Sequence, residues 1–233
     1  MPISSRVAMI SGASRGIGAS IAEKLLAEGW AVSLGLRNPD GSPFKTHANA
    51  LTCRFDALDS ESERTWLDET LHRFGRIDGL VLNAGMMIQK TVLEANDADF
   101  DLIFNVNVKS PMRLSQLTWP HLEKADAGRI VTIASLSGKR VKSAGSGLYA
   151  MSKFAAVALG HGLRQCGKEN GVRSTIICPS YVATDMGNAL ANRESTELTQ
   201  PDDIARIVHM VLELPKTASI AEIPVHFSVE DAY

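Results

Sequence analysis

Aromatic residues make up only 6% of the chain, cysteines number three, and no apolar run approaches the roughly 20 residues a membrane span needs. Each shortage closes off a class of protein. Cys53, Cys166 and Cys178 are odd in number, widely spaced and free of any CxxC pair, so a disulfide scaffold is excluded and reduced thiols in the cytoplasm are expected. The N-terminus does not read as a signal peptide. Six histidines include no HxxxH or HExxH, and none stands at ligand spacing from a cysteine, so no metal site is expected. An excess of one charge is also missing: 24 Lys+Arg against 26 Asp+Glu give a net charge of -2. No global basic field exists to hold nucleic acid or an anionic membrane, and any anion binding must be local. What is present is 45% hydrophobic residues over 233 positions, without repeats or low-complexity tracts, which reads as one domain over 1–233 with a full-sized core.

Short apolar runs without helical period recur at 6–10, 31–36, 53–55, 78–82, 129–133, 173–177 and 220–225. Between them lie amphipathic stretches, from Ile17 to a stop at Gly29 and then at 66–74, 100–117, 149–167 and 202–214. Apolar strands alternating with helices predict a parallel sheet covered on both faces, an α/β doubly wound fold of about seven strands. Asn38-Pro39-Asp40-Gly41-Ser42-Pro43 is a turn signal where a crossover helix would otherwise stand, so the connection from the second to the third strand is expected to be mostly loop.

The first strand runs into Ser11-Gly12-Ala13-Ser14-Arg15-Gly16-Ile17-Gly18 and then a helix. Glycines at 12, 16 and 18 let the backbone turn tightly and bring the helix N-terminus against a pyrophosphate, where free N–H groups and the helix dipole favour negative charge. That is a Rossmann-type dinucleotide turn, although a Gly-rich turn alone can be purely structural. The tip of the second strand decides between the two common dinucleotides, because a carboxylate there accepts from the ribose hydroxyls and repels a 2′-phosphate. Here the tip is Leu34-Gly35-Leu36-Arg37, with no carboxylate. Arg37 offers a planar fork for a phosphate, and Arg15 can reach the same region, which predicts NADP(H); both arginines are also compatible with a solvated surface. Asp56, after the third strand, can accept from the adenine amino group or cap a helix.

Tyr149 and Lys153 stand four residues apart at the start of a helix, on one face. A phenol is a poor base near neutrality, but an adjacent ammonium favours the phenolate and brings proton transfer with a carbonyl or alcohol oxygen into range. Ser135, at the end of the 129–133 strand, can donate to the same oxygen.

Taken together, these motifs resemble those of the short-chain dehydrogenase/reductase family, NADP(H)-preferring, over nearly the whole chain. Ser11 to Gly18 is similar to TGxxxGIG, with Ser for Thr, which implies cofactor contacts from Gly12, Ser14, Arg15, Gly16, Ile17 and Gly18. Asn83-Ala84-Gly85 matches the NAG motif that steadies the sheet and lines the cofactor. Asn107 falls where the family keeps an asparagine holding a water for a proton relay. Ser135, Tyr149 and Lys153 match the catalytic Ser and YxxxK, with fourteen residues between Ser135 and Tyr149. Pro179-Ser180-Tyr181-Val182-Ala183-Thr184 resembles PGxVxT, implying that Pro179, Val182 and Thr184 hold the nicotinamide side, with Ser180 in place of glycine. The resemblance implies an enzyme acting on CH-OH/C=O groups of a small molecule: Tyr149 as general acid/base, Lys153 lowering its pKa and binding the nicotinamide ribose, Ser135 orienting the substrate oxygen, and Asn107 passing protons on. A cofactor part over roughly 1–130 and a catalytic and substrate part over roughly 131–233 follow. Self-association into dimers or tetramers is implied through the helices at 100–117 and 149–167, where Phe154, Ala155 and Ala158 suit such packing.

Two stretches depart from the family pattern. The segment between Thr184 and Pro201 is short for a helical substrate lid, so a shallow pocket or a plain loop is expected there; the C-terminal strand lacks the frequent DGG ending. Lys139, Arg140 and Lys142 lie where family loops border the substrate and suit either a solvated loop or a carboxylate-bearing substrate. Met86, Met87 and Ile88 suit either a substrate wall or core filling. A different class, a non-catalytic NADP(H)-binding redox sensor or scaffold, stands as the alternative, but has no need of Ser135, Tyr149 and Lys153 together.

Overall fold

The computed structural model describes residues 5–229. Seven parallel strands form one sheet in the order β3-β2-β1-β4-β5-β6-β7: β1 (Val7–Ser11), β2 (Ala31–Leu36), β3 (Ala50–Arg54), β4 (Gly79–Leu82), β5 (Arg129–Ile133), β6 (Arg173–Pro179) and β7 (Glu222–Val225). The order reverses between β1 and β4, and a crevice opens outside the carboxyl ends of the strands at that point. The strands are apolar without alternation because both faces are covered. Ala8 and Ile10 of β1 join Val32, Leu34, Val81, Val131 and Ile177 on one face, against α1 (Gly16–Ala27) and α7 (Pro201–Glu213). Met9, Leu80, Leu82 and Ile130 point to the other, against α2 (Ser60–Phe74) and α4 (Ser110–Leu122). Strand β4 starts at Gly79, one residue later than the apolar run; just before it, the Asp78 carboxylate accepts from Val7 N at 2.9 Å and from Arg76.

The 37–49 connection contains no helix, as the turn signal at 38–43 predicts. Helix α2 begins six residues earlier than the 66–74 periodicity indicated. Its start is set by Asp59, whose side chain accepts from Glu61 N and Ser62 N, so capping chemistry rather than the apolar stripe defines the end. Trp66 of α2 is fully buried beneath β2, donating Nε1–H to Ser33 Oγ at 2.8 Å. A Cβ at Gly35 would stand 2.8 Å from that indole, which accounts for a glycine inside a central strand.

The stretch read as one helix over 100–117 is three joined pieces: α3 (Asp97–Phe104), a π turn over Asn105–Lys109, and α4. The extra residue in the π turn has no signature in hydrophobic period, since α3 runs on into it without a break. Helix α5 (Gly147–Cys166) carries the Tyr149/Lys153 pair. Among the described residues no helix is long and apolar enough to cross a membrane.

Candidate active site

The turn after β1 is held by its neighbours. Gly12 and Gly16 have φ of +69° and +56°, a region side chains rarely adopt. A Cβ at Gly18 would lie 2.4 Å from Gly12 O and 2.5 Å from Asn83 Nδ2, so the helix could not approach the turn with any larger residue. Asn83 donates Nδ2–H to Ser11 O and Gly12 O, both at 3.0 Å, while Ser11 Oγ accepts from Asn83 N and Ala84 N. Asn83 and Ala84 therefore fasten the glycine turn to β4. With its glycine cradle intact, and with no side chain able to fill it, the turn fits a dinucleotide pyrophosphate.

The arginines go separate ways. Arg37 is exposed at the end of β2 and makes no ion pair among the described residues. Arg15 instead pairs with Asp185, at the start of the short helix α6 (Asp185–Leu190). Asp56 serves its own turn, with Oδ1 accepting from Leu58 N at 3.0 Å, and is half-buried.

Ser135 leaves β5 in extended conformation and its Oγ accepts from Ser137 N at 3.1 Å. The turn that follows lies flat on α5 because residue 138 is glycine: a Cβ there would stand 2.6 Å from Lys153 O. This packing sets Ser135 beside Tyr149. Lys153 is buried, its Nζ 5.7 Å from the Tyr149 ring centroid and donating to Ile133 O at 3.2 Å. Burial disfavours charge on both groups. It pushes the half-exposed Tyr149 phenol up to about 12, opposed by a hydrogen bond from Ser135, and pushes the Lys153 ammonium down to about 8. In the protein alone, desolvation thus outweighs the ammonium that was expected to bring the phenol down.

Asn107 is buried in the π turn with its side chain fully engaged. Oδ1 accepts from Met86 N, and Nδ2 donates to Met86 O and to Ser152 Oγ, each at 2.9 Å. Ser152 donates in turn to Tyr149 O at 2.7 Å. Residue 85 is flanked by Asn107 Oδ1 and Lys153 Nζ, 3.4 and 3.6 Å from where a Cβ would be, so the 83–85 motif, the π turn and α5 meet at one point. Ser152 was not picked out from sequence; its place beside Lys153 in the Tyr149-to-Lys153 turn was the available signal.

Ile17, Ser135, Tyr149, Pro179, Val182 and Thr184 open onto a single cavity of about 440 Å³. Where a shallow pocket or plain loop was expected after Thr184, the chain builds α6 and a 3-10 turn over Ser195–Glu197. Thr184 makes this possible by capping α6, its Oγ1 accepting from Gly187 N at 3.1 Å, and a parallel bridge of Val182 to Thr199 ties the segment down. Met186 and Leu190 of α6, with Tyr181, complete the wall. Of the three methionine-loop residues only Met87 lines the cavity; of the basic loop, Arg140 and Lys142 do, while Lys139 pairs with Glu222 at 2.6 Å. Met186, Leu190 and Tyr181 were not read as pocket residues, because their segment carries no motif.

A parallel sheet with a glycine-turn cradle at its switch point, facing a Ser/Tyr/Lys cluster, defines a nucleotide-dependent enzyme of the α/β class. Residues 6–195 match the short chain dehydrogenase family, and the chain belongs to it; that family binds nicotinamide cofactors. The chain is 38% identical over 222 residues to an agropine synthesis reductase of Rhizobium rhizogenes, covering 93% of this chain and 51% of that protein, so it spans about half the length of that curated relative. Its fold is similar to a dehydrogenase/reductase from Sinorhizobium meliloti (TM-score 0.86, 30% identity, 97% and 95% of the two chains). It is also similar to a short chain dehydrogenase from Burkholderia cenocepacia in complex with NADP (TM-score 0.84, 28% identity, 96% and 97%).

Proposed function

We propose that the chain is an NADP(H)-dependent oxidoreductase that interconverts a small carbonyl compound and its alcohol, with Tyr149 as general acid/base. The observation that carries this reading is the single cavity shared by Ser135, Tyr149 and the 179–184 segment, beside the glycine cradle. Gly12, Ser14, Arg15, Gly16, Ile17 and Gly18 would hold the pyrophosphate side, Arg37 the 2′-phosphate and Asp56 the adenine. Asn83, Ala84 and Gly85 would floor the cofactor groove, Tyr149 and Lys153 would hold the nicotinamide ribose, and Pro179, Val182 and Thr184 the carboxamide. When bound, NADP(H) supplies the hydride donor or acceptor. The absence of a carboxylate at the tip of β2, and a solved relative that binds NADP, both favour the phosphorylated cofactor.

Ser135 donates to the substrate oxygen and orients it beside Tyr149. A phenol pushed up to about 12 is protonated at neutral pH, which suits it to give a proton to an oxygen that is gaining charge during reduction. Lys153, beneath the tyrosine ring, supplies the positive charge that stabilises the phenolate left behind. Asn107, fixed between Met86 and Ser152, stands next to Lys153 to pass protons on. Three free cysteines agree with a cytoplasmic location.

The test is NADPH oxidation by the purified chain across aldehydes, ketones, quinones and keto acids, with NADH and the Tyr149→Phe and Arg37→Asp variants in parallel. Turnover is expected with NADPH, to fall by about 10²- to 10⁴-fold in Tyr149→Phe, and to shift toward NADH in Arg37→Asp. NADPH binding with no turnover on any substrate would transfer the assignment to a sensor or scaffold role. Full activity in Tyr149→Phe would remove the tyrosine from the chemistry.

A further inference from the structure

We propose that Ser152 is a positioning residue for proton transfer: its hydroxyl ties Asn107 to the turn of α5 that carries Tyr149 and Lys153, and so holds the asparagine in place for the relay. This rests on the oxidoreductase reading and adds a member to the same site. Ser152 and Asn107 are both buried, so the N–H and O–H groups of their side chains must find partners inside the protein. Donor and acceptor chemistry then leaves one arrangement. Met86 N can only donate, and it lies 2.9 Å from Asn107 Oδ1, which settles the way the amide faces. Nδ2 consequently turns its two N–H groups to Met86 O and to Ser152 Oγ, each at 2.9 Å. An amide nitrogen accepts nothing, so the single proton of Ser152 goes to Tyr149 O, at 2.7 Å. From Asn107 through Ser152 to Tyr149 the bonds run in one direction, and bonds so aligned strengthen one another.

A serine at this point is no asset to the helix itself. It is a poorer helix former than alanine, and its bond back to a helix carbonyl is one that helices do without. What the hydroxyl adds is an acceptor facing the π turn. Position 152 lies three residues after Tyr149 and one before Lys153, so the tie is made to the very turn that holds both side chains. The asparagine and the lysine also share a small space: a Cβ at Gly85 would stand 3.4 Å from Asn107 Oδ1 and 3.6 Å from Lys153 Nζ. Without Ser152 Oγ, one N–H of Asn107 loses its acceptor in a buried place, and the side chain must turn or admit water to satisfy it. Either change disturbs the group that stands beside Lys153.

The experiment measures kcat and KM with NADPH and whichever carbonyl of the panel above the parent chain reduces fastest. It compares Ser152→Ala, Ser152→Thr, Asn107→Ala and the double variant Ser152→Ala with Asn107→Ala. In Ser152→Ala kcat is expected to fall by about tenfold, the worth of one hydrogen bond to a buried group, while KM for NADPH holds. Ser152→Thr keeps the hydroxyl and its bond to the helix carbonyl, and is expected to recover most of the loss. The double variant is expected to be no slower than Asn107→Ala, because Ser152 acts through the asparagine. Should the threonine methyl not fit the packing, the double-variant comparison still decides. Full kcat in Ser152→Ala, a loss in KM alone, a folded Ser152→Thr as slow as Ser152→Ala, or losses that multiply in the double variant would each overturn the proposal and leave the oxidoreductase standing. NADPH binding by the parent without turnover of any carbonyl would remove the oxidoreductase reading and this proposal with it.

Discussion

Lys153 is the residue at which the local physics is most exposed. It is a lysine enclosed by protein, with Ile133 O as its hydrogen-bond acceptor and a tyrosine ring alongside, and burial holds its pKa at about 8 instead of 10.5. The folded state therefore binds this proton less tightly than the unfolded chain. Between pH 8 and 10.5 the unfolded lysine keeps its proton and the folded one gives it up, so this group makes stability rise with pH across that window. Below pH 8 the full penalty, about 3 kcal/mol, is present. The stability gained by Lys153→Met over the parent is accordingly expected to shrink by about that amount from pH 7 to pH 10.5, measured by urea denaturation without cofactor. A difference that stays flat across the range would mean that the buried ammonium is not penalised. Tyr149 works in the opposite sense: with its phenol raised to about 12, the unfolded tyrosine ionises first and this group's contribution falls above pH 10.

At the scale of elements, the sheet face that carries α2 and α4 is locked by one buried carboxylate. Glu63 of α2 is wholly inaccessible, and accepts from Ser110 Oγ and from both Nε and Nη2 of Arg113 on α4, all at 2.7 Å. Arg113 Nη2 also reaches Ala57 O. This bidentate clamp fixes the start of α4, and hence the π turn that presents Asn107. Removing one partner leaves the other charge poorly solvated, so Glu63→Ala is expected to cost about 3 kcal/mol in chemical denaturation. The double replacement Glu63→Met with Arg113→Met is expected to recover most of that loss, since apolar side chains of similar volume avoid the desolvation cost. A double variant as unstable as the single one would show that the clamp contributes more than charge compensation. The clamp was not legible in the sequence. Glu63 reads as one more acid near a helix start, and only the packing of α2 on α4 brings Arg113, fifty residues on, to meet it.

For the molecule as a whole, apolar side chains remain exposed on the helices flanking the catalytic half of the sheet. Phe100 and Leu102 of α3, Met112 of α4, and Met151 and Phe154 of α5 are each more than a third exposed, and Phe100 stacks on Phe104 with centroids 4.2 Å apart. These are the helices through which self-association was inferred, and a second copy is the natural cover for such a surface. Sedimentation at micromolar concentration is expected to show dimers or tetramers, shifting to smaller species in Met112→Glu with Phe154→Glu. A parent chain that sediments as a strict monomer would contradict this.

Much of the architecture could be read from local pattern, because it rests on local forces. Apolar runs bounded by turn residues marked all seven strands, although β3 begins at Ala50, three residues before the 53–55 run, the Gly12, Gly16 and Gly18 spacing marked the cradle, and the four-residue interval marked Tyr149 and Lys153 as neighbours. Backbone sterics and helix pitch act over a few residues, so such features are written in the order of the chain. Other features exist only once distant segments are in contact. Helix α2 began at its cap and not at its apolar stripe; Arg15 turned to Asp185, 170 residues away. Asn107 found Met86 and Ser152, α6 formed where no lid pattern was visible, and burial set the Tyr149 and Lys153 protons against the direction their proximity suggested. By itself the sequence determined which elements form and which side chains have chemistry to offer. Tertiary structure decided what each side chain meets, how much water it keeps and therefore which charge it carries, because solvation and pairing depend on contacts that no stretch of chain contains alone.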